Sequence, residues 1–149
     1  MLLKDFCTTD VAYCGRDTTA LAAATLMRTK HVGDLVVVDD ADYECTPVGI
    51  VTDRDIIVRV LGNELDPGRV TVGEIMRTPV VLANQDEDVT EAIARMRAHR
   101  VRRLPITGPR GRLVGIVTLD DVLRQLVNDA SALVEVIASE RDQEQRTLR

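Results

Sequence analysis

The chain states one pattern twice. Gly49-Ile50-Val51-Thr52-Asp53-Arg54-Asp55-Ile56 returns as Gly115-Ile116-Val117-Thr118-Leu119-Asp120-Asp121-Val122. The echo extends upstream: Asp5-Phe6-Cys7-Thr8-Thr9 aligns with Glu74-Ile75-Met76-Arg77-Thr78, Met27 with Met96, and Leu35 with Leu104. The upstream pairs keep an offset of 69 residues while the glycine motifs are 66 apart, so the length difference falls in one loop, around Asp39 to Pro47. An internal repeat of this kind fixes the architecture before any single residue is interpreted. It implies two similar lobes with a cleft between them.

Each half is about 60 residues, a size at which a lone core is marginal, so the halves are expected to pack on each other as one unit. Phe6, Tyr13 and Tyr43 are the whole aromatic complement of the 149 residues, which leaves Val, Ile, Leu, Ala and Met to build the core. The apolar runs are far shorter than a membrane span, and Lys4 and Asp5 interrupt the start of any signal peptide. The expectation is a soluble cytoplasmic protein with no membrane contact. A net charge of −5 disfavours non-specific nucleic-acid binding. Cys7, Cys14 and Cys45 lack the close pairing of a zinc or redox motif, and His31 and His99 have no ligand partners near them in sequence, so no metal site is expected.

Within each repeat a short capped segment (Leu2 to Phe6, or Thr71 to Met76) precedes a strand (Val11 to Cys14, or Val80 to Ala83). Polar turns ending in Asp17-Thr18 and Asp86-Glu87-Asp88 suit helix starts. Ala20, Ala23, Ala24 and Met27 then fall at helical spacing, as do Val89, Ala92, Ile93 and Met96. The β-branched runs Leu35 to Val38 and Leu104 to Ile106 predict a second strand. Turns at Asp39 to Asp42 and Gly108 to Gly111 lead to a third strand, Val48 to Val51 or Leu113 to Val117. A final helix spans about Asp53 to Leu61, or Leu119 to Val127, with Ile56, Ile57, Val60, Val122, Leu123 and Leu126 inward. Residues 62–69, containing Pro67-Gly68, form the linker between repeat 1 (1–61) and repeat 2 (70–128). Residues 129–149 form a helical tail, apolar at Leu133, Val134, Val136 and Ile137 and then wholly polar and frayed.

The chemistry is concentrated in Gly-apolar-apolar-Thr-x-x-Asp, where a buried strand turns into a helix. Free backbone N–H groups and the positive end of the helix dipole meet there, which suits an anion or phosphate. Thr52 and Thr118 add a hydroxyl; Asp55 and Asp121 can accept from vicinal ribose hydroxyls. Thr-x-x-Asp is equally close to a capping box, whose task is to satisfy helix-start donors. No nucleophile–base arrangement or Walker-type loop supports an enzyme.

The paired Gly-Ile-Val-Thr-x-x-Asp motifs, each preceded by a Leu-x-(Val/Ile) strand and a Met-containing helix, resemble a tandem pair of cystathionine beta-synthase (CBS) domains over residues 1 to about 128. The chain is most similar to small stand-alone bacterial CBS-pair proteins. The resemblance implies an α/β (α+β) fold of two β-α-β-β-α repeats packed about a pseudo-two-fold axis. It implies a regulatory module with no required cofactor, binding AMP, ADP or ATP, or in some members NAD or S-adenosylmethionine, between the repeats. It also implies a helix-mediated homodimer acting on a protein partner the sequence does not name. By the family pattern, one site combines Thr52, Asp53, Arg54 and Asp55 with the backbone near Val81 and with Arg102 and Arg103 as phosphate ligands. The other combines Thr118, Asp120 and Asp121 with the backbone near Ala12 and with Gly33 and Asp34. Asp34 stands where the first site has Arg103, so the mononucleotide is expected at the Asp55 site, and Asp34→Arg is expected to strengthen the second. Arg95, Arg97, His99 and Arg100 are expected on solvated surface. The alternative function is an adaptor dimer that makes protein contacts without physiological nucleotide binding.

Overall fold

The computed structural model describes residues 1–39 and 44–147. Most of the expected Asp39–Asp42 turn (Asp40, Ala41 and Asp42) lies outside the described residues, as do the last two residues of the tail. The duplication in the sequence becomes two three-stranded sheets of identical topology. Repeat 1 holds β1 (Tyr13–Gly15), α1 (Ala20–Lys30), β2 (Asp34–Asp39), β3 (Thr46–Thr52) and α2 (Asp53–Asp55). Helix α2 runs on as a π-helical segment, Ile56–Val60, and a 3-10 turn, Leu61–Asn63. Repeat 2 is preceded by α3 (Val72–Ile75) and holds β4 (Ala83–Asn84), α4 (Val89–His99), β5 (Arg103–Thr107), β6 (Leu113–Thr118) and α5 (Leu119–Thr147). In each sheet the first strand is parallel to the second and the second antiparallel to the third.

The helix starts obey capping chemistry. Thr19, rather than Asp17-Thr18, caps α1, its side chain accepting from the Ala22 N–H at 3.1 Å. Asp88 caps α4, accepting from the Thr90 N–H at 2.9 Å. Both helices end on a left-handed residue, His31 and Arg100, each at φ 55°. The first strands lie later than expected, at Tyr13–Gly15 and Ala83–Asn84, because Val11 and Val81 precede the stretch that pairs with β2 and β5.

The capped segments do not pack within their own repeats. They cross over. Leu3, in the 3-10 turn Leu3–Asp5, is fully buried in the repeat 2 core with Met96, Leu104 and Val117. Val72, Ile75 and Met76 are buried in the repeat 1 core with Met27, Leu35 and Val51. Beyond each turn the strap adds a short antiparallel bridge to the other repeat's last strand, Thr8 to Ile116 and Arg77 to Ile50. The motif glycines make this approach possible. A Cβ on Gly49 would sit 2.6 Å from Met76 Sδ and 3.1 Å from the Arg77 carbonyl oxygen; one on Gly115 would sit 2.7 Å from Cys7 Sγ and 3.1 Å from the Thr8 oxygen. A third cluster, with Val36, Val38 and Ile116 buried at its centre, joins the two sheets.

Two expectations about the helices need correction. Ile56 and Val60 are buried, but Ile57 is 59% exposed; on α5 Val122 is buried while Leu123 and Leu126 are 52% and 47% exposed. Each final helix therefore meets its sheet along a narrow stripe and leaves an apolar flank outside. The tail is helical as expected but is not a separate segment, since α5 is one helix of 29 residues through Thr147. Neither Gly nor Pro interrupts the chain after Gly115, whereas the matching helix of repeat 1 stops at Gly62 to Glu64, where Glu64 turns left-handed at φ 57°.

Candidate functional site: an arginine-lined cleft between the repeats

Both Thr-x-x-Asp motifs form capping boxes. Thr52 Oγ1 accepts from the Asp55 N–H at 3.1 Å and Asp55 Oδ2 accepts from the Thr52 N–H at 2.9 Å. In the second copy the Asp121 N–H donates to Thr118 Oγ1 at 3.2 Å, and Asp121 Oδ2 accepts from the Thr118 N–H at 2.9 Å and its hydroxyl at 2.8 Å. These bonds satisfy donors that a helix start leaves open. Asp55 is only 3% exposed, and its other oxygen accepts from Arg77 Nε at 3.3 Å. It lies behind the cleft wall and ties the strap to repeat 1.

In front of that wall is a cleft of about 270 Å³. Repeat 1 contributes Ile50, Thr52, Asp53 and Arg54, while Arg77 of the strap and Pro79, Val80 and Val81 just beyond it form a second side. The end of α4 and the start of β5 contribute Arg100, Val101, Arg102 and Arg103. The structure thus brings together six of the seven residues expected for the first site, and Asp55 is the one set back. Sequence reasoning missed Arg77 and Arg100. Arg100 is exposed as expected, but it is not merely solvated, since from the left-handed position that ends α4 it also lines the cleft. Arg77 belongs to the strap, and only the crossover carries it to repeat 1. Arg95 is not simply solvated either: its Nη1 donates to the Leu82 oxygen at 2.6 Å and to Glu87 at 2.8 Å.

The residues expected for the second site are engaged elsewhere. Asp34, half-buried at the start of β2, forms a salt bridge with Arg103 at the start of β5. Asp120 lies 3.7 Å from Arg102. The Gly33 carbonyl accepts from the Asp53 N–H at 2.9 Å, the Arg102 carbonyl from the Leu119 N–H at 2.8 Å, and the Ala12 carbonyl from the Val36 N–H at 3.1 Å. Acids assigned to one site therefore neutralise bases assigned to the other. The expectation for Asp34→Arg falls with this geometry, since the new guanidinium would face Arg103 instead of an empty phosphate position. Burial pushes the Asp34 carboxyl above the usual carboxylate range, Arg103 offsets part of that rise, and the Asp53 charge adds to it.

The charge balance decides what the cleft can hold. Among the described residues five arginines line it, against the one carboxylate residue Asp53. Arg77, Arg102 and Arg103 are partnered by Asp55, Asp120 and Asp34, while Arg54 and Arg100 have no carboxylate partner among the described residues. Such a wall favours an anion, and Ile50, Pro79, Val80 and Val81 supply apolar surface beside it. Among the described residues no group of three or more His, Cys, Asp and Glu side chains could hold a metal ion, and no helix is long and apolar enough to cross a membrane.

Two repeats of this topology, with crossed straps and a cleft at their boundary, define a CBS domain pair. Residues 3–62 and 72–128 match the CBS domain family model, and the chain belongs to that family. It is 35% identical over 127 residues to hypoxic response protein 1 of Mycobacterium tuberculosis, covering 85% of this chain and 86% of that one. It is 38% identical over 106 residues to an uncharacterized protein of Methanopyrus kandleri, 71% of this chain but only 53% of that protein's length. Among solved structures it resembles the CBS domain pair of protein MJ0100 in complex with 5'-methylthioadenosine and S-adenosyl-L-methionine. That likeness has a TM-score of 0.75 and 26% identity, over 87% of this chain and 98% of that one. The chain is a regulatory module rather than a catalytic one.

Proposed function

We propose that this chain is a cytoplasmic nucleotide sensor whose cleft between the repeats binds an adenine nucleotide, AMP, ADP or ATP, and passes the occupancy to a partner protein through a homodimer. The observation that carries this reading is the convergence of Arg54, Arg77, Arg100, Arg102 and Arg103 on one partly apolar cleft. Its volume, about 270 Å³, is near the lower end of the roughly 300–1,000 Å³ common for small-molecule sites. Arg54, Arg102 and Arg103 are the phosphate ligands in this reading, and the apolar wall at Val80 and Val81 takes the base. Asp53 offers an acceptor to the ribose, because Asp55 is committed to the cap and to Arg77. The bound adenosyl compounds of MJ0100 support an adenosyl ligand for the fold. The arginines argue for one that carries phosphate. A ligand shifts such a module only as far as it binds one conformation better than another.

The test is a thermal-shift panel of AMP, ADP, ATP, NAD, S-adenosylmethionine and 5'-methylthioadenosine. Binding to the folded state alone raises the melting temperature, by about 2.7 kcal/mol of stabilisation at a hundredfold excess over Kd. A flat response across the panel at millimolar ligand overturns the reading and leaves the adaptor function. That second reading has its own observation: Leu133, Val134, Val136 and Ile137 are each more than half exposed on α5.

A further inference from the structure

The two halves of this molecule do not hold their charges independently. Asp34 and Arg103 occupy equivalent places, each at the start of the central strand of its sheet. They meet across the boundary between the repeats. Arg103 also faces the cleft, so its guanidinium lies between two possible anions, the Asp34 carboxylate on one side and whatever enters the cleft on the other. Asp34 does not line the cleft and cannot accompany it there.

We propose that Arg103 is an exchange residue: in the empty cleft its charge is held by Asp34, and a phosphate-bearing ligand draws it away, releasing the ion pair that joins the starts of β2 and β5. The inference rests on the reading of the cleft as a phosphate-ligand site. A phosphate competes for a guanidinium with the same charge-assisted geometry as a carboxylate and carries more charge. Once Arg103 turns to the ligand, Asp34 is left with its side chain 18% exposed and no counter-charge. The group that faces it then is Asp53, at the start of α2, which is also negative. Both surroundings favour the neutral acid, so the carboxyl takes up a proton from solvent as the ligand binds. Burial already holds this carboxyl above the usual carboxylate range with Arg103 in place, and losing Arg103 carries it further in the same direction. Ligand binding is thereby linked to pH, and it loosens a bridge between the repeats.

The experiment is titration calorimetry of the full chain with ADP near pH 5.5, in two buffers of different ionisation enthalpy, for the wild type and Asp34→Asn. The difference between the two proteins removes the ionisation of the ADP phosphate itself. The expected result is a proton uptake in the wild type that Asp34→Asn lacks. The variant should also bind ADP about fivefold more tightly, the equivalent of about 1 kcal/mol for removing a partly exposed competing ion pair. Equal proton counts and equal affinities would overturn the exchange. So would weaker binding by Asp34→Asn, which would make Asp34 the residue that positions Arg103 for the ligand. Where Asp34→Asn is unstable, Asp34→Ala serves as the reference because it too lacks the titrating carboxyl, and Arg103→Ala must abolish the Asp34-dependent uptake as well. Absence of ADP binding by the wild type would sink the nucleotide reading itself, whereas binding without the Asp34-dependent proton sinks the exchange alone.

Discussion

Gly49→Ala should destabilise the protein although it adds one methyl group at an unstrained backbone position. Gly49 is not among the residues at positive φ, so the effect is purely steric. The new Cβ would stand 2.6 Å from Met76 Sδ, 3.0 Å from Met76 Cγ and 3.1 Å from the Arg77 carbonyl oxygen. Met76 is 8% exposed and packed in the repeat 1 core, so its thioether cannot swing into solvent without leaving a void. The Arg77 oxygen is backbone and accepts from the Ile50 N–H at 3.4 Å, while the Arg77 N–H donates to the Ile50 oxygen at 2.8 Å. Relief of the clash therefore moves the strap, at an overpacking cost of about 1–3 kcal/mol. For a chain of this size that lowers the melting temperature by about 2–12 °C. Urea unfolding monitored by far-UV circular dichroism reads the change directly. Met76→Ala, itself destabilising, should couple to Gly49→Ala so that the double variant loses at least about 1 kcal/mol less than the sum of the singles. Strict additivity, or a Gly49→Ala variant within about 0.3 kcal/mol of wild type, would show that the strap adjusts freely and that the glycine is not there to admit it.

The cleft and the exposed helix face yield further tests. Arg54→Ala and Arg102→Ala should each weaken ADP binding by about ten- to a hundredfold, the range for losing a charge-assisted hydrogen bond, with unchanged melting temperature; calorimetry and thermal shift separate the two. Asp55→Ala should instead lose about 1–2 kcal/mol of stability, because it opens the cap and unpairs Arg77, and urea unfolding should show this without any ligand present. Leu3→Ala should cost about 2–5 kcal/mol although it lies near the chain start, since it fills the repeat 2 core; retention of wild-type stability would remove the crossed strap from the energetics. The paired substitution Leu133→Asp with Ile137→Asp should convert a dimer to a monomer in light scattering at micromolar concentration, and an unchanged mass would place the homodimer contact elsewhere.

Much of this architecture is legible in local residue chemistry. The repeated motif, the alanine and methionine faces of α1 and α4, the β-branched runs of β2 and β5 and the capping residues each depend on neighbours a few positions away. Periodicity and propensity report such relations well. The Arg102-Arg103-Leu104-Pro105-Ile106 run, too, announces a basic strand start, and both arginines line the cleft. Burial along the final helices is not legible, because the stripe Ile56 and Val60 and its flank Ile57 look alike in composition and only the angle at which the helix meets the sheet separates them.

The duplication, the order β-α-β-β-α in each half, and the junctions where strand turns to capped helix all follow from residue order alone. Tertiary structure alone decided that each strap serves the opposite repeat, that Asp55 turns to Arg77 rather than to the cleft, and that Asp34 neutralises Arg103. The physical reason is range. Helix spacing, strand alternation and caps are set within a few residues, where a pattern along the chain maps directly onto geometry. The Asp34–Arg103 pair and the bridges Thr8–Ile116 and Arg77–Ile50 join groups far apart in the chain or in opposite halves. Only the closing of the two sheets on each other brings them together, so no local pattern could have encoded which charge answers which.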